Sequence, residues 1–307
     1  MHVRVYGVQP DEMPTYEAAK EKYGFTFEFE KTPLSEETAD QVKGCEGLII
    51  LTNCHVTEPV AKTLAANGVK YIACRSAGSD HVDYAAVTKY GMQCAHVPAY
   101  APEAISEHTV MLALEVLRHA KLCARKVEEG DFTMAGLKGR QLGNLTAGVL
   151  GTGRIGRVTM SILNGFGTKV LGWDPFPNDA AAKLCTYVEK EELLKTADIV
   201  FLHCPLTDDS YHTINEETLA MMKPGAVLIN TARGGLVDLP AVLKALESGK
   251  LSGFGFDVHE NEVEFVRKKM PIDQIHDPVF KALLQRDDAI YSPHVAFYTD
   301  AAILNMI

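Results

Sequence analysis

Three side chains in the second half of the sequence have the chemistry needed to bind a carboxylate and to donate a proton. Arg233 lies in NTARGGLVD, and a guanidinium binds a carboxylate through two parallel hydrogen bonds. His294 lies in YSPHVAFYTD, and histidine titrates in the range that a proton donor needs. Glu262, in GFDVHENE, is a carboxylate that could orient the imidazole and stabilise its protonated form.

Each of these residues also has an ordinary structural interpretation. Arg233 could pair with a surface acid, although Gly234 and Gly235 beside it indicate backbone crowding near a ligand. Glu262 lies in a charged loop, and composition alone favours a solvated position for it. A single loop histidine is more often structural than catalytic. The residues alone do not choose His294 over the other candidate proton donors, which are His55, His81, His96, His203 and His212.

A glycine-rich turn predicts where a dinucleotide binds. The segment TAGVLGTGRIGRVTMSILNGFGTKVLGWD gives a strand, a turn with Gly151, Gly153 and Gly156, a helix, and a second strand that ends at Asp174. In this pattern the glycines permit a tight turn, a close approach of the backbone to a pyrophosphate, and helix–strand packing. Unpaired amides at the helix start favour an anion, and the acid accepts hydrogen bonds from ribose hydroxyls. The alternative is a plain crossover whose glycines serve packing alone.

Alternating apolar runs and helical segments predict two α/β units with mostly parallel sheets, one over residues 1–96 and one from residue 146 onward. Between the two units, residues 103–120 predict a helix that continues to about residue 129. The strands predicted before the three chemical side chains are Ala226–Asn230, Gly253–Phe256 and Ala289–Tyr291. Because parallel strands end at one edge of a sheet, Arg233, Glu262 and His294 should share the edge of the glycine turn. Hydride transfer between a nicotinamide and a 2-oxo acid fits this arrangement.

Composition narrows the class of protein. The 307 residues carry a formal net charge of −10, which argues against a general nucleic-acid or anionic-membrane binder. The seven cysteines form no CxxC pair and are predicted to be free thiols of a reducing compartment. They indicate neither a disulfide framework nor a zinc site, so no metal is expected. Without a signal peptide or a transmembrane-length apolar run, a cytoplasmic location is expected.

The chain resembles the D-2-hydroxyacid dehydrogenase family, and most closely its D-lactate dehydrogenase branch. The resemblance runs nearly end to end and rests on the segments YGVQPDE, RSAGSDHVD, VPAYAPEAISEH, GVLGTGRIGR, WDPFPN, HCPLT, INTARGGLVD, ALESGKLSGFGFDV and PHVAFYTD. It implies an α/β protein of two doubly wound parallel-sheet domains. A Rossmann-type NAD-binding domain, residues 100–296, would be inserted in a flavodoxin-like substrate domain, residues 1–99 plus 297–307. The resemblance also implies a final helix that continues beyond residue 307, and a homodimer formed through residues 103–129.

The resemblance also assigns roles to residues. Arg233 would bind the substrate carboxylate, His294 would be the general acid and base, and Glu262 would be its carboxylate partner. The further substrate-binding positions would be Ala77, Gly78, Tyr100, Phe297 and Tyr298. The NAD-binding positions would be Gly151, Gly153, Arg154, Ile155, Gly156, Asp174, Cys204, Pro205, Thr231, Ala232, Arg233 and Asp257. Asp174 would favour NAD over NADP, because a 2′-phosphate would meet its carboxylate.

Four positions depart from the family pattern. Gln9 stands where the lactate-type members usually have Arg, and Ser210 stands where they often have Asn. Ala101 and Glu103 stand where Ser and Asn are common, next to Tyr100. A negative charge at position 103 could change the substrate range if it points toward the site.

The implied activity is reversible NAD-dependent reduction of pyruvate to D-lactate. One alternative within the family is an enzyme for bulkier or dicarboxylic 2-oxo acids, such as 2-oxoisocaproate, phenylpyruvate or 2-oxoglutarate. A second alternative, from another class, is a non-catalytic NAD(H)-sensing binding protein of the same fold. The set of Arg233, Glu262 and His294 disfavours it, as does the lack of a basic partner-binding segment.

Overall fold

Strands and helices alternate along almost the whole chain, of which this computed structural model describes residues 1–262 and 264–307. The strands are β1 (His2–Tyr6), β2 (Thr26–Glu30), β3 (Gly47–Ile50), β4 (Tyr71–Cys74), β5 (Gln93–His96), β6 (Thr146–Leu150), β7 (Lys169–Trp173), β8 (Thr186–Tyr187), β9 (Ile199–Leu202), β10 (Ala226–Asn230), β11 (Leu251–Phe256) and β12 (Ala289–Tyr291). The helices are α1 (Met13–Tyr23), α2 (Glu58–Ala66), α3 (Tyr84–Lys89), α4 (Pro102–Leu117), α5 (Ala120–Glu128), α6 (Arg154–Gly165), α7 (Asp179–Ala182), α8 (Lys190–Thr196), α9 (Glu216–Met221), α10 (Leu239–Glu247), α11 (Pro278–Gln285) and α12 (Asp300–Met306). Within the described chain, none of these helices has both the length and the apolar character needed to cross a lipid bilayer.

The first compact unit comprises residues 1–101 and 298–307. Its five-stranded sheet has the order β2-β1-β3-β4-β5, and the strand pairings are parallel. Tyr6, Leu48, Ile50 and Leu64 are buried in one apolar core, which joins β1 and β3 to α2. In a sheet of this kind all strands end at one edge, so the loop after β4 lies at the carboxyl edge.

The second compact unit, residues 102–297, contains a seven-stranded parallel sheet with the order β12-β11-β10-β9-β6-β7-β8. The strand order runs outward from β6 in one direction through β7 and β8, and from β9 in the other direction through β12. The reversal lies between β6 and β9, and such a switch point is where α/β proteins bind ligands. The predicted fold class, two parallel α/β sheets, is confirmed.

Helices cover both faces of this second sheet. Along β9, Val200 and Leu202 belong to one buried cluster, whereas Ile199 and Phe201 belong to another. Successive side chains of a strand point to opposite faces, so the two clusters are the two cores on either side of the sheet. This explains why the central strands read as continuous apolar runs without polar alternation.

Capping residues set several helix starts. Asp238 caps α10 by accepting a hydrogen bond from the backbone amide of Ala241. Asp277 caps α11 in the same way, accepting from the amides of Val279 and Phe280. No apolar pattern predicted α11, although Asp277 followed by Pro278 is a common helix start. No apolar run predicted β8 either, because this strand is only two residues long.

The prediction of one helix from residue 103 to about residue 129 is wrong. The helix ends at Leu117, and α5 begins at Ala120 after His119, whose φ of 52° is left-handed. The carbonyl oxygen of Leu117 accepts a hydrogen bond from the amide of Arg140 at 3.0 Å. A distant segment therefore takes the acceptor that a continuous helix would use, which apolar periodicity cannot reveal.

Candidate active site

The carboxyl edge of the second unit's sheet carries the predicted site residues in a single row. In strand order, the residues after each strand are His294 (β12), Asp257 (β11), Arg233 (β10), Cys204 (β9), Gly151 (β6) and Asp174 (β7). Neighbouring strands lie about 4.8 Å apart, so the three loops after β10, β11 and β12 fall within about 10 Å along the edge. The predicted proton donor lies at one end of the row, and the predicted ribose acid lies toward the other.

His294 and Glu262 form a close pair. The Nδ1 atom of His294 lies 2.6 Å from Oε1 of Glu262, and the two side chains are 16% and 22% exposed. The other carboxylate oxygen of Glu262 accepts a hydrogen bond from the backbone amide of His259 at 3.3 Å. Since the carboxylate can only accept, Nδ1 carries the proton in this pair, and Nε2 is the ring nitrogen that does not bond to Glu262.

The backbone at His294 is held in a left-handed conformation by Asp257. The φ of His294 is 55°, a value that costs a non-glycine residue ~1–3 kcal/mol unless the surroundings enforce it. Its amide donates to the carbonyl oxygen of Asp257 at 2.8 Å. The carboxylate of Asp257 is fully buried and accepts from Ser292 Oγ and from the amides of Val295 and Ala296. One acid therefore fixes the loop that presents the imidazole.

His108 supports the same loop from α4. Its Nε2 lies 2.8 Å from Ser292 Oγ and 3.5 Å from a carboxylate oxygen of Asp257. Sequence reasoning missed His108 and Ser292, because 184 positions separate them and no local motif marks either one.

A turn built by Asn230 positions Arg233. The side chain of Asn230 accepts from the amide of Ala232 at 3.0 Å and donates to the carbonyl of Arg233 at 2.9 Å. A Cβ on Gly234 would lie 2.1 Å from the carbonyl carbon of His259, so the crowding inferred at Gly234 comes from the chain's own backbone. Asn230 was missed, although an asparagine after a strand is a known turn signal.

The glycine turn fits a dinucleotide. A Cβ on Gly151 would lie 2.5 Å from the amide nitrogen of Cys204, and a Cβ on Gly156 would lie 2.1 Å from the carbonyl oxygen of Gly151. These two glycines therefore permit close packing at the switch point. Gly153 has open space where its Cβ would be, immediately before the first turn of α6, which begins with Arg154. A pyrophosphate can approach this backbone and the amides of the helix start, which lie at the positive end of the helix dipole.

Two backbone amides and one hydroxyl group orient the acid at the end of β7. One oxygen of Asp174 accepts from the amide and hydroxyl of Thr152 at 2.6 and 3.1 Å, and the other accepts from the amide of Phe176. The Thr152 hydroxyl lies 2.6 Å from the hydroxyl of Tyr187. The open glycine, the helix start and the fixed acid together have the shape and charge that NAD requires.

Two rival histidines of the second unit make other contacts. The Nε2 atom of His203 lies 2.9 Å from the hydroxyl of Thr159, and burial lowers the pKa of His203 to about 4. This ring is neutral near pH 7 and cannot serve as the acid there. His212 stacks on Tyr211 and lies 3.4 Å from Glu260. The other rivals, His55, His81 and His96, lie in the first unit.

In the first unit, a buried ion pair anchors the loop that contains Ala77 and Gly78. Arg75 NH1 lies 2.6 Å from Glu12 Oε1 with both side chains buried, and Arg75 also donates to the carbonyl of Gly7. The hydroxyl of Ser76 then donates to the carbonyl of Gly78 at 2.7 Å. These contacts fix a partly exposed turn at the carboxyl end of β4.

The remaining predicted substrate residues lie near the ends of the two units. The hydroxyl of Tyr298 donates to Asp11 at 2.8 Å, and the carbonyl of Tyr100 accepts from the Asn305 side chain at 2.6 Å, both within the first unit. Phe297, in the second unit, presents its ring edge-on to His294 with the ring centres 6.2 Å apart. The His294 ring therefore has an aromatic neighbour on one side.

Two of the departures from the family pattern have local structural roles. The amide of Gln9 donates to a carboxylate oxygen of Glu12 at 2.9 Å, which begins a short turn before α1. Ser210 donates its hydroxyl to the carbonyl of Pro205 at 2.7 Å and so shapes the loop after β9.

Comparison with known proteins gives the family. Residues 110–296 match the NAD binding domain of the D-isomer specific 2-hydroxyacid dehydrogenases. An aromatic 2-oxoacid reductase of Clostridium sporogenes is 38% identical, and a D-lactate dehydrogenase of Escherichia coli is 36% identical; each alignment covers 100% of this chain and 93% of the relative. The solved structure of a pyruvate reductase of Chlamydomonas reinhardtii superposes with a TM-score of 0.91 at 36% identity, with the same coverage.

These similarities extend over both units and over the glycine turn, the Arg233 loop and the His294 loop alike. The cofactor predicted from the sequence, NAD, is confirmed by the matching NAD binding domain. This chain belongs to the D-isomer specific 2-hydroxyacid dehydrogenase family and is an NAD-dependent oxidoreductase similar to its D-lactate dehydrogenases.

Proposed function

We propose that this protein catalyses the reversible reduction of a small 2-oxo acid to the D-2-hydroxy acid, with pyruvate and D-lactate as the principal pair. The observation that carries this proposal is the 2.6 Å pair of His294 and Glu262 on the sheet edge that also bears the glycine turn. A binding protein needs no imidazole held by a carboxylate at this position, whereas a reductase needs a proton donor beside the hydride acceptor.

Each of the three residues has a separate task in this proposal. Bound NADH would supply the hydride for the carbonyl carbon. Arg233 binds the substrate carboxylate through its two-pronged guanidinium and so aligns the carbonyl. His294 donates the Nε2 proton to the carbonyl oxygen as charge develops there, and Glu262 stabilises the imidazolium before the transfer. The sum is a 2-oxo acid, NADH and one proton giving the 2-hydroxy acid and NAD⁺.

We propose further substrate contacts. The backbone at Ala77 and Gly78 and the hydroxyl of Tyr100 bind the carboxylate, while Phe297 and Tyr298 bound the substrate side chain. The buried Arg75–Glu12 pair supports this assignment because it makes the turn at Ala77 rigid before any ligand binds.

We also propose the full set of NAD contacts. The turn residues Gly151, Gly153, Arg154, Ile155 and Gly156 bind the pyrophosphate, and Asp174 binds the ribose. The segments that line the adenosine and the nicotinamide are Cys204, Pro205, Thr231, Ala232, Arg233 and Asp257. The carboxylate of Asp257 already accepts hydrogen bonds from the loop that carries His294. Asp257 would therefore act on the cofactor through its backbone, or indirectly through the loop that it holds.

The side chain of the substrate distinguishes the candidate 2-oxo acids. The Clostridium sporogenes relative, at 38% identity, is an aromatic 2-oxoacid reductase, which makes phenylpyruvate the second candidate substrate. Oxidation of NADH should be followed with pyruvate, 2-oxoisocaproate, phenylpyruvate and 2-oxoglutarate under the same conditions. If kcat/KM is highest for pyruvate, the result supports D-lactate as the product. If kcat/KM is highest for phenylpyruvate, the protein is an aromatic 2-oxo acid reductase instead.

The same measurement tests the non-catalytic alternative. Tight NADH binding without turnover of any of these acids would identify an NAD(H)-sensing protein. His294→Gln is the matched variant, because it removes the proton donor and leaves the glycine turn intact. Loss of turnover in this variant with unchanged NADH affinity supports catalysis by His294.

We propose a cytoplasmic homodimer, formed through residues 103–129 and the segment that follows them, as the working assembly. Beyond α5 the chain exposes large apolar side chains, with Phe132 80% and Met134 87% exposed, which is unusual unless a partner covers them. The seven cysteines are free thiols, which suits a reducing compartment. Light scattering should give twice the chain mass, and the double substitution of Phe132 and Met134 by Ser should shift it toward the monomer.

A further inference from the structure

Three side chains with metal-binding chemistry meet in the first unit, at the amino edge of its sheet. His2 is the first residue of β1, Glu28 lies in β2, and Cys45 precedes β3 by two positions. One ligand atom from each of them lies within 4.8 Å of the other two. This edge is opposite the carboxyl edge where β4 leads to Ala77, so the cluster is separate from the residues assigned to the reaction.

The spacing of the ligand atoms matches a tetrahedral zinc site. The Nε2 atom of His2 lies 3.4 Å from Oε2 of Glu28, and the Sγ atom of Cys45 lies 3.7 Å from the same oxygen. With Zn–N and Zn–O bonds of about 2.0–2.1 Å and a Zn–S bond of about 2.3 Å, tetrahedral ligands are about 3.3 Å apart for N and O and about 3.6 Å apart for S and O. The two distances to the Glu28 oxygen therefore match those of a zinc site, and the ligand atoms of His2 and Cys45 lie within 4.8 Å of each other.

The backbone of all three segments is already fixed. The parallel register pairs His2 with Thr26 and Arg4 with Glu28, which holds β1 against β2. The amide of Glu46, the residue after Cys45, donates to the carbonyl of His2 at 2.9 Å. This hydrogen bond holds the backbone beside Cys45 against the backbone of His2. A site whose ligands are positioned before binding loses little conformational entropy when the ion arrives.

A neighbouring arginine fixes the orientation of the Glu28 carboxylate. Arg4 lies 3.2 Å from Oε1 of Glu28, the oxygen that does not face His2 and Cys45, and it lies 3.4 Å from Glu30. Arg4 therefore orients the carboxylate, as an outer-sphere partner of a metal ligand does, and Glu30 compensates its charge. Cys45 is buried, whereas the side chains of His2 and Glu28 are 38% and 46% exposed, so a fourth ligand can be water.

We propose that His2, Glu28 and Cys45 bind a Zn²⁺ ion with a water molecule as the fourth ligand. A thiolate, an imidazole and a carboxylate form a donor set that zinc accepts more readily than the hard cations Mg²⁺ and Ca²⁺ do. On binding, the Cys45 thiol gives up its proton to the solvent and the sulfur bonds to the metal. The ion links β1, β2 and the segment before β3, and its effect is on the stability of the first unit.

The sequence predicted no metal, because the cysteines form no CxxC pair and the three ligands lie at positions 2, 28 and 45. Motif searches recognise ligands that are close in sequence, whereas these three become neighbours only through parallel strand pairing.

The test uses the full-length chain without a polyhistidine tag and with its native amino terminus, stripped of metal by a chelator. Titration with Zn²⁺ against a chromophoric chelator should give one ion per chain. Co²⁺ should give the intense visible absorption of a tetrahedral site and a near-ultraviolet thiolate charge-transfer band. Zinc should also raise the thermal midpoint of the metal-free protein.

Matched variants make the result specific. Cys45→Ser should abolish the thiolate band, and His2→Gln, at a half-exposed position, should weaken Zn²⁺ affinity at least tenfold without harming the fold. Cys123→Ser changes an exposed cysteine elsewhere and should behave as the wild type. The kcat for 2-oxo acid reduction should stay the same in His2→Gln. Less than one ion per chain, or wild-type affinity in both ligand variants, overturns the proposal.

Discussion

The backbone amide of His294 donates to the carbonyl of Asp257 at 2.8 Å, while the carboxylate of Asp257 accepts from the two amides that follow His294 in the chain, at 3.0 and 2.9 Å. The end of β11 therefore determines where the loop after β12 carries its imidazole. A fully buried acid of this kind is retained only when its hydrogen bonds offset the cost of removing its charge from water.

Asp257→Asn tests this relationship. The amide group replaces one acceptor oxygen with a donor, so at least one of the loop's hydrogen bonds is lost. We expect the free energy of unfolding to fall by about 1–3 kcal/mol, from chemical denaturation. We expect kcat to fall at least about tenfold, because misplacing a catalytic group by 1 Å is that costly. A variant with unchanged kcat and unchanged stability contradicts the proposed role.

Glu262→Gln should lower turnover. A carboxylate oxygen of Glu262 lies 2.6 Å from Nδ1 of His294 and is a charged acceptor for it. Gln offers a neutral carbonyl oxygen instead, so a charge-assisted hydrogen bond becomes a neutral one that is weaker by about 1–1.5 kcal/mol. We expect kcat for the 2-oxo acid to fall about tenfold, and the NADH dissociation constant serves as the control and should not change. A wild-type kcat in Glu262→Gln shows that the charged partner of His294 is not needed for catalysis.

Arg233→Lys keeps the positive charge and removes the two-pronged geometry. We expect the KM for the 2-oxo acid to rise about 10–100-fold, which corresponds to losing one charge-assisted hydrogen bond of about 1.5–3 kcal/mol. Lys250→Arg, at an exposed position after α10, is a matched exchange of cations that should leave KM unchanged. Equal KM values in Arg233→Lys and the wild type remove Arg233 from carboxylate binding.

Tyr187→Phe should weaken NADH binding without slowing the chemistry. The lost hydroxyl fixes Thr152, and Thr152 orients the carboxylate of Asp174. We expect the NADH dissociation constant to rise about 2–10-fold, equivalent to one neutral hydrogen bond, with kcat unchanged at saturating NADH. Tyr90→Phe in the first unit is the control. A loss of kcat at full saturation with NADH refutes this purely positioning role.

His203→Gln should make the free energy of unfolding less dependent on pH in the acid range. In the folded protein burial holds the pKa of His203 at about 4, compared with its ordinary value of 6.5. Between these values the unfolded chain binds more protons than the folded one, so the wild type loses stability as the pH falls from 6.5 to 4. Gln can keep a hydrogen bond to Thr159 but does not titrate. Denaturation midpoints measured across this window should fall less steeply in the variant, and parallel curves exclude the effect.

The fold class and the row of site residues could be predicted because both depend on local patterns. Apolar runs of four to six residues give the buried strands, and topology then brings Arg233, Glu262 and His294 to one edge. The supporting contacts could not be predicted in this way. His108 reaches Ser292 only because α4 packs against the sheet beside β12, and no spacing in the sequence records that contact.

The break at His119 shows the same limit. Apolar periodicity indicates which face of a helix is buried, but it does not indicate where the helix ends. Here the carbonyl of Leu117 accepts a hydrogen bond from the amide of Arg140, which lies outside the helix. Likewise, Gly234 is glycine because the backbone at His259 passes beside it, whereas the sequence indicated a ligand there. In each case a segment distant in sequence decides the local structure.

The reversal of strand order between β6 and β9 has a consequence for how such an enzyme can diversify. In the proposed function the two halves of the sheet divide the chemistry. The proposed ribose acid, Asp174, follows β7, and the residues proposed to bind and protonate the substrate follow β10 to β12. Substitutions in the second half can change which substrate is accepted while the nucleotide half keeps its sequence. The architecture therefore allows the coenzyme-binding site to be inherited unchanged while the neighbouring loops evolve new substrate specificities.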